Sequence, residues 1–421
     1  MAEDPHIDVI NFGCRLNALE GDQLRHAAER AGLRNTAIIN SCAVTEEAVR
    51  QARQTIRRAK RDQPDRAIFV TGCAVHTDSK RFADMPEVSR LIGNLEKSDP
   101  RSYGADAAVH LVSDIMESKP FTGPMNLPAN ESQTRARAFV QIQTGCDHRC
   151  TFCIIPFGRG NSRSVPRDVI ARQCAELVAA GHKEIVLTGV DITSWGHDLG
   201  EDGLGVLIRY LLNSVPDLPR LRLSSVDAVE LDQGFLDLVI HEDRLMPHLH
   251  LSLQAGDDMI LKRMKRRHSR TEAVAFCERL KLQRPEITFG ADIIAGFPTE
   301  TDEMFQNSLK LINDCDLVWL HVFPFSPRPG TPAARMPQLP RPLIVERARA
   351  LREAGQAHQQ AWLEAQQGQK FTLLMEKDMV GRAENFARVK LNTSQEIGAL
   401  VRATITGHDG SDLIGDIDGL V

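Results

Sequence analysis

Three cysteines, Cys146, Cys150 and Cys153, fall within eight residues of the stretch TGCDHRCTFCIIPFGRGNSRS (Thr144–Ser164), spaced C-x3-C-x2-C. Thiolates are soft donors that favour zinc, copper(I) or iron–sulfur centres. A structural zinc site wants a fourth ligand and usually paired C-x2-C knuckles. His148 is close by but falls inside the loop between the cysteines, and no second knuckle follows. An iron–sulfur cluster normally takes four cysteines. With three, one iron keeps an open position for a substrate or cofactor. Packing cysteines fit this spacing poorly, since glycine and polar residues surround it.

A second set, Cys14, Cys42 and Cys73, has no short spacing. Each instead closes a stretch that reads as a strand: DVINFGC (Asp8–Cys14), TAIINSC (Thr36–Cys42) and AIFVTGC (Ala67–Cys73). Helical stretches separate them, NALEGDQLRHAAERAG and TEEAVRQARQTIRRAKR. Strands alternating with helices imply βαβ units and a parallel sheet. The carboxyl ends of a parallel sheet share one edge, where ligands of open α/β sheets bind. Three cysteines at equivalent strand ends therefore converge, and three more ligands without a fourth point to a second cluster with an open iron. Cys174, Cys277 and Cys315 lie in predicted helices or at a helix end and are read as ordinary thiols.

The elements that hold the first triplet come next. AFVQIQ, EIVLTGV, LRLSS, HLHLSLQ, ITFGADIIAG and LVWLHVFPF read as strands, most of them separated by helices such as PRDVIARQCAELVAAG and TDEMFQNSLKLIND. Six such units predict a partial (βα)6 barrel, whose active site belongs at the carboxyl ends of its strands. A polar, proline-containing stretch, Met116–Arg137, is the expected linker before it. After the barrel comes a long polar helix, LIVERARALREAGQAHQQAWLEAQQG. Short strands then run to the end, among them KFTLLMEK, NFARVKL and GALVRATITGH. They predict a small all-β barrel, an architecture often used to bind RNA. The α/β chain thus divides into 1–120, 121–365 and 366–421.

Composition agrees with a reduced, water-facing protein. The 421 residues are 42% hydrophobic and 25% charged, with a formal net charge of −5. No global basic field announces nucleic acid, so any such contact must use local patches. The N-terminus has no basic region followed by a long apolar run, and no stretch approaches roughly 18 apolar residues. A cytoplasmic protein with no membrane partner is expected, in which nine cysteines serve packing, metal or catalysis rather than disulfides.

The stretch CDHRCTFC resembles the C-x3-C-x-aromatic-C signature of the radical S-adenosylmethionine superfamily, with Phe152 as the aromatic. That resemblance implies that the open iron chelates the amino and carboxylate groups of S-adenosylmethionine. An electron then cleaves it to a 5′-deoxyadenosyl radical. Later strand ends resemble the superfamily's cofactor-lining segments: LTGVDI (Thr188, Gly189), LRLSS (Ser224, Ser225), LSLQAG (Gln254) and GADIIAGFPTE (Asp292, Gly296). Over nearly its whole length the chain resembles the methylthiotransferase family. NFGCRLNALEGDQL, INSCAVTEEAVRQAR and FVTGCAV are similar to that family's N-terminal domain, and the C-terminal strands to its RNA-binding TRAM domain. CAVT and GRGNSRS most resemble the branch that modifies N6-threonylcarbamoyladenosine next to the anticodon of tRNA. Ser41 stands where the family often has threonine, a conservative departure.

The resemblance implies two 4Fe–4S clusters, one S-adenosylmethionine giving a methyl group to sulfur and a second giving the radical. It also implies two partners, the tRNA anticodon loop and a reducing electron donor. Two basic stretches are candidate phosphate contacts: Arg50–Arg66 with seven Lys/Arg against two Asp, and Leu261–Arg270 with six Lys/Arg and no acid. Arg266 or Arg267 is alternatively a contact to S-adenosylmethionine. Solvated helix faces explain such stretches equally simply. Three other readings stay open: the same chemistry on isopentenyladenosine in tRNA, the same chemistry on an aspartate of a ribosomal protein, or a non-catalytic RNA-binding metal protein.

Overall fold

The computed structural model describes residues 6–117 and 136–420, so most of the expected linker lies outside the described residues. The chain forms two compact units. One comprises Met1–Pro128, Gln143–Val165 and Ser326–Ala334; the other comprises Ala129–Ile142, Pro166–Phe325 and Arg335–Val421.

The first unit is built on five parallel strands in chain order: β1 (Ile7–Asn11), β2 (Thr36–Ser41), β3 (Ala67–Gly72), β4 (Arg90–Ile92) and β5 (His110–Leu111). Alternate residues along each strand serve opposite faces. Ile38 and Phe69 pack with Leu24, Ala27 and Ala28 of helix α1 (Arg15–Arg30). Ala37, Ile39, Ile68 and Val70 pack on the other face with Val49, Ala52 and Ile56 of α2 (Glu46–Asp62). Thr45 caps α2 by accepting from Ala48 N–H, and acidic residues open the helix while basic ones close it, as its dipole favours. Helix α3 (Cys73–Thr77) follows β3 directly.

In the second unit six parallel strands run in chain order: β6 (Arg137–Gln141), β7 (Glu184–Thr188), β8 (Arg220–Leu223), β9 (His248–Gln254), β10 (Thr288–Ala295) and β11 (Leu317–Pro324). Ser225–Val226 carries the pairing from the end of β8 across to β9. Among the described residues no pairing joins β11 to β6, so the barrel is partial. Helices alternate with these strands; one begins at Arg270 behind a capping box of Ser269 and Glu272. A 24-residue helix, Arg341–Glu364, then leads to the last strands.

Those strands are β12 (Lys370–Lys377), β13 (Val380–Arg382), β14 (Arg388–Leu391), β15 (Leu400–His408) and β16 (Leu413–Leu420), closed in the order β12-β13-β14-β16-β15. The closed barrel docks on the amino ends of the partial barrel's strands. Arg222 is fully buried; it pairs with Glu184 (2.8 Å) and donates to the carbonyls of Ala383 and Glu384. Arg137 pairs with Glu376 (2.7 Å) and Thr288 Oγ1 donates to the Asn385 carbonyl (2.6 Å). This base belongs to packing and leaves the carboxyl ends for chemistry.

Candidate metal centre

In the first unit Asn11 pairs with Asn40, and Asn40 with Thr71. Neighbouring strands lie about 4.8 Å apart, so the residues that follow emerge together on one edge. Two glycines make the approach close. A Cβ at Gly13 would stand 2.7 Å from Cys42 Sγ, and one at Gly72 would stand 2.3 Å from the Ser41 carbonyl. Both have φ above +90°, which glycine alone adopts without strain. Cys14 thus comes out exposed, while Cys42 and Cys73 are buried.

The second triplet sits in a loop closed by a two-rung hairpin, Gln143–Thr144 against Arg163–Ser164. Cys146 N–H donates to Gly160 O (3.1 Å) and Cys153 N–H to Cys150 O (3.0 Å). Arg149 donates to the Cys146 carbonyl (2.8 Å) and to Asn161 Oδ1 (2.7 Å). The backbone is tied down, and the three sulfurs stay half-buried, with Phe152 half-buried among them in the chain.

The short helix Ile155–Arg159 follows Cys153 and packs on α3. It delivers Arg159, 3% exposed, to the first triplet. The Arg159 Nε–H donates to Cys73 Sγ at 3.2 Å. Its other nitrogens donate to Glu20 (2.7 and 2.9 Å) and to Asn17 Oδ1 (2.7 Å). Lys97 joins Glu20 at 2.7 Å. Burial alone would raise the Glu20 carboxyl, but Arg159 and Lys97 outweigh it and hold it at about 2. Burial, with Cys73 next, pushes the Cys42 thiol up to about 12.

This chemistry fits a bound metal cluster. Buried thiols do not ionise together unless cationic charge compensates them. Arg159 supplies part of that charge. A single tetrahedral zinc holds its sulfurs about 3.8 Å apart, from bonds of about 2.3 Å. Among the described residues, the groups of ligand atoms within 4.8 Å of one another include neither cysteine triplet. Wider spacing suits a cluster, where each thiolate binds a different iron.

In the second unit the other expected residues fall at strand ends. Thr188 ends β7, Gly189 follows it, Ser224 and Ser225 follow β8, and Gln254 ends β9 with φ +69°. Gly296 follows β10, where a Cβ would meet Ile344 at 2.8 Å. Asp292 lies three residues inside β10, and its Oδ1 faces His250 Nε2 (2.9 Å) and His321 Nδ1 (3.2 Å) from the neighbouring strands. Arg266 is engaged by Asp227 and by the Ser252 carbonyl. The sequence reading missed Arg159, His250 and His321. The alternating histidines of HLHLSLQ were the one local signal for His250.

Residues 140–312 match the Radical SAM superfamily and residues 6–93 match a family described as Uncharacterized protein family UPF0004. A Threonylcarbamoyladenosine tRNA methylthiotransferase MtaB of Rickettsia prowazekii is 47% identical, covering 95% of this chain and 94% of its own. The chain belongs to the MtaB family of methylthiotransferases. The MtaB proteins of Aquifex aeolicus and Bacillus subtilis are each 32% identical over 94% of this chain. MtaB-family membership makes it a radical S-adenosylmethionine enzyme, a class that uses S-adenosylmethionine and 4Fe–4S clusters. The radical S-adenosylmethionine methyltransferase TsrM of Kitasatospora setae shares its fold, with a TM-score of 0.53 at 14% identity, covering 76% of this chain and 70% of its own. No helix among the described residues is long and apolar enough to cross a membrane.

Proposed function

We propose that this chain adds a methylthio group to C2 of N6-threonylcarbamoyladenosine at position 37 of tRNA. The observation that carries this reading is a buried arginine, six residues beyond Cys153, that donates to Cys73 of the other cysteine triplet, in a chain 47% identical to a relative named for that substrate. C2 of adenine offers an unactivated C–H and no leaving group, so acid–base chemistry has no handle on it. When bound, a cluster at Cys146, Cys150 and Cys153 supplies the electron that cleaves S-adenosylmethionine, and one at Cys14, Cys42 and Cys73 supplies an iron for sulfur.

The chain's own residues bind and orient. Thr188, Gly189, Ser224, Ser225, Gln254 and Gly296 stand at strand ends and Asp292 three residues inside β10. These, and separately Phe152, are the contacts to S-adenosylmethionine that the family resemblance implies. Arg266 is the weakest member of that set, because Asp227 and Ser252 already hold it. By function the chain divides into 1–120 for the auxiliary centre, 121–365 for radical chemistry and 366–421 for RNA. It works in the cytoplasm with tRNA and a reducing electron donor.

The first RNA contact is a groove beside α2, lined by Phe12, Gln51, Gln54, Thr55, Arg57, Arg58 and Arg61. Three arginines there suit phosphate, and Phe12 offers an aromatic face. The stretch Leu261–Arg270 is less available: Arg266, Arg267 and Arg270 pair with Asp227, Glu230 and Asp314.

Mass spectrometry of tRNA nucleosides tests the reading, in a host lacking this methylthiolation, with and without the gene. Appearance of 2-methylthio-N6-threonylcarbamoyladenosine supports it. The isopentenyl analogue instead would move the chain to the branch of its relative in Erythrobacter litoralis, a tRNA-2-methylthio-N(6)-dimethylallyladenosine synthase 29% identical over 97% of this chain. No new nucleoside from soluble, iron-loaded protein would overturn both.

A further inference from the structure

We propose that Arg159 is a positioning residue for the centre at Cys14, Cys42 and Cys73, and that its N–H···S bond to Cys73 sets that centre's reduction potential. The inference rests on reading those three cysteines as cluster ligands.

The geometry is specific to a guanidinium. Glu20 takes two of its N–H groups side by side, at 2.7 and 2.9 Å. A bidentate pair fixes the plane of the fork. Asn17 Oδ1 takes a further N–H at 2.7 Å. With that edge clamped, the remaining Nε–H is aimed at Cys73 Sγ, 3.2 Å away. Lysine cannot reproduce this, having a point charge and no planar fork. Lys97 on the far side of Glu20 balances the carboxylate, so the group left to face sulfur is a cation.

The bond also couples the two triplets. Cys73 and Arg159 are 86 residues apart, yet Arg159 stands only six residues beyond Cys153 on the same loop and helix. A second strut holds the same seam: Asn94 Nδ2 donates to the Gly158 carbonyl at 2.6 Å and lies 3.9 Å from Cys73 Sγ. Hydrogen bonds and net charge at the ligand sulfurs are principal determinants of cluster potential. An N–H donor and a positive charge favour the reduced, more negative state, so they raise the potential.

The test is an anaerobic redox titration of the full-length, reconstituted protein, followed by electron paramagnetic resonance, with iron counted alongside. R159Q should load wild-type iron and drop the potential of one centre. The expected change is at least about tenfold in the reduced-to-oxidised ratio, ~59 mV for one electron. R159K should recover part of it through charge alone. The signal that responds to added S-adenosylmethionine should keep its potential. A merely structural role would lower the melting temperature without moving either potential, and that result overturns the inference. Should R159Q fail to load iron, E20Q carries the test: it keeps the guanidinium but loosens its clamp, and an unmoved potential there also overturns it. The C14A/C42A/C73A variant separates the two levels. If it keeps all its iron, the ligand reading has failed; if it loses the centre that R159Q shifts, both stand.

Discussion

The ring of Phe386 lies on that of His248, with centroids 4.5 Å apart and planes 7° from parallel. Phe386 comes from the turn between β13 and β14, and His248 opens β9. The guanidinium groups of Arg137, Arg222 and Arg382 stand 4.4 to 5.7 Å from the same ring. Phe386 has φ +74°, a conformation that is an outlier for a bulky residue and persists only when its surroundings enforce it.

This contact predicts a stability effect without a chemical one. F386A should cost about 3 kcal/mol, the low end for deleting a packed phenylalanine, because some of its surface stays exposed. Chemical denaturation checks the loss. Iron content should stay at the wild-type level, since the six cysteines of the two triplets lie in the other compact unit.

Each cysteine triplet should account for its own metal. Reconstituted wild-type chain is expected to bind about eight irons, as two 4Fe–4S clusters require. Alanine at Cys146, Cys150 and Cys153 should leave about four, with matching labile sulfide. Zinc in place of iron, and no sulfide, would remove the basis for radical chemistry.

Asp292, proposed above as a contact of S-adenosylmethionine, gives a binding prediction and a pH dependence. Loss of a charged hydrogen-bonding group from a cofactor site costs roughly 1.4 kcal/mol or more, about tenfold in affinity. D292A should weaken S-adenosylmethionine binding by that factor in isothermal titration, with iron unchanged. Burial opposes ionisation of Asp292, but hydrogen bonds from His250 and His321 outweigh it and hold the carboxyl well below its ordinary range. A depressed carboxyl contributes stability that is complete above its unfolded value of about 3.9 and is lost as pH falls below it. D292N should lack that part of the acid limb, so the gap between wild type and variant should narrow as acid is added.

The RNA contact proposed for the α2 groove is measurable. Among the described residues Arg58 carries no ion pair, and Arg61 has only the adjacent Asp62 at 3.6 Å. R58E/R61E should weaken tRNA binding and lower the slope of log affinity against log salt by about 1 per lost phosphate contact. An unchanged slope would assign this face to solvent.

The sequence by itself determined what short range controls. Spacing within eight residues revealed the thiolate triplet. Period-two and period-3.6 patterns revealed the strands and helices, and hence that Cys14, Cys42 and Cys73 share one sheet edge. Two strands of the last barrel, β13 and β16, were not legible, because Val380–Arg382 is only three residues long and glycine and aspartate interrupt Leu413–Leu420. What only the tertiary structure decided is how distant polar groups pair. Arg159 read as part of a motif, and nothing local says that its guanidinium reaches Cys73 and Glu20. By composition the basic stretch around Arg266 is a candidate phosphate or S-adenosylmethionine contact, yet Asp227, Glu230 and Asp314 neutralise much of it. His250, Asp292 and His321 meet because three neighbouring parallel strands carry them, with His321 opposite Asp292 and His250 opposite Gly290, two residues earlier on the same strand. Local sequence constrains backbone torsions and which face is apolar. The partner of a buried charge is set by chain reversal across scores of residues, where burial makes any unpaired alternative too costly to persist.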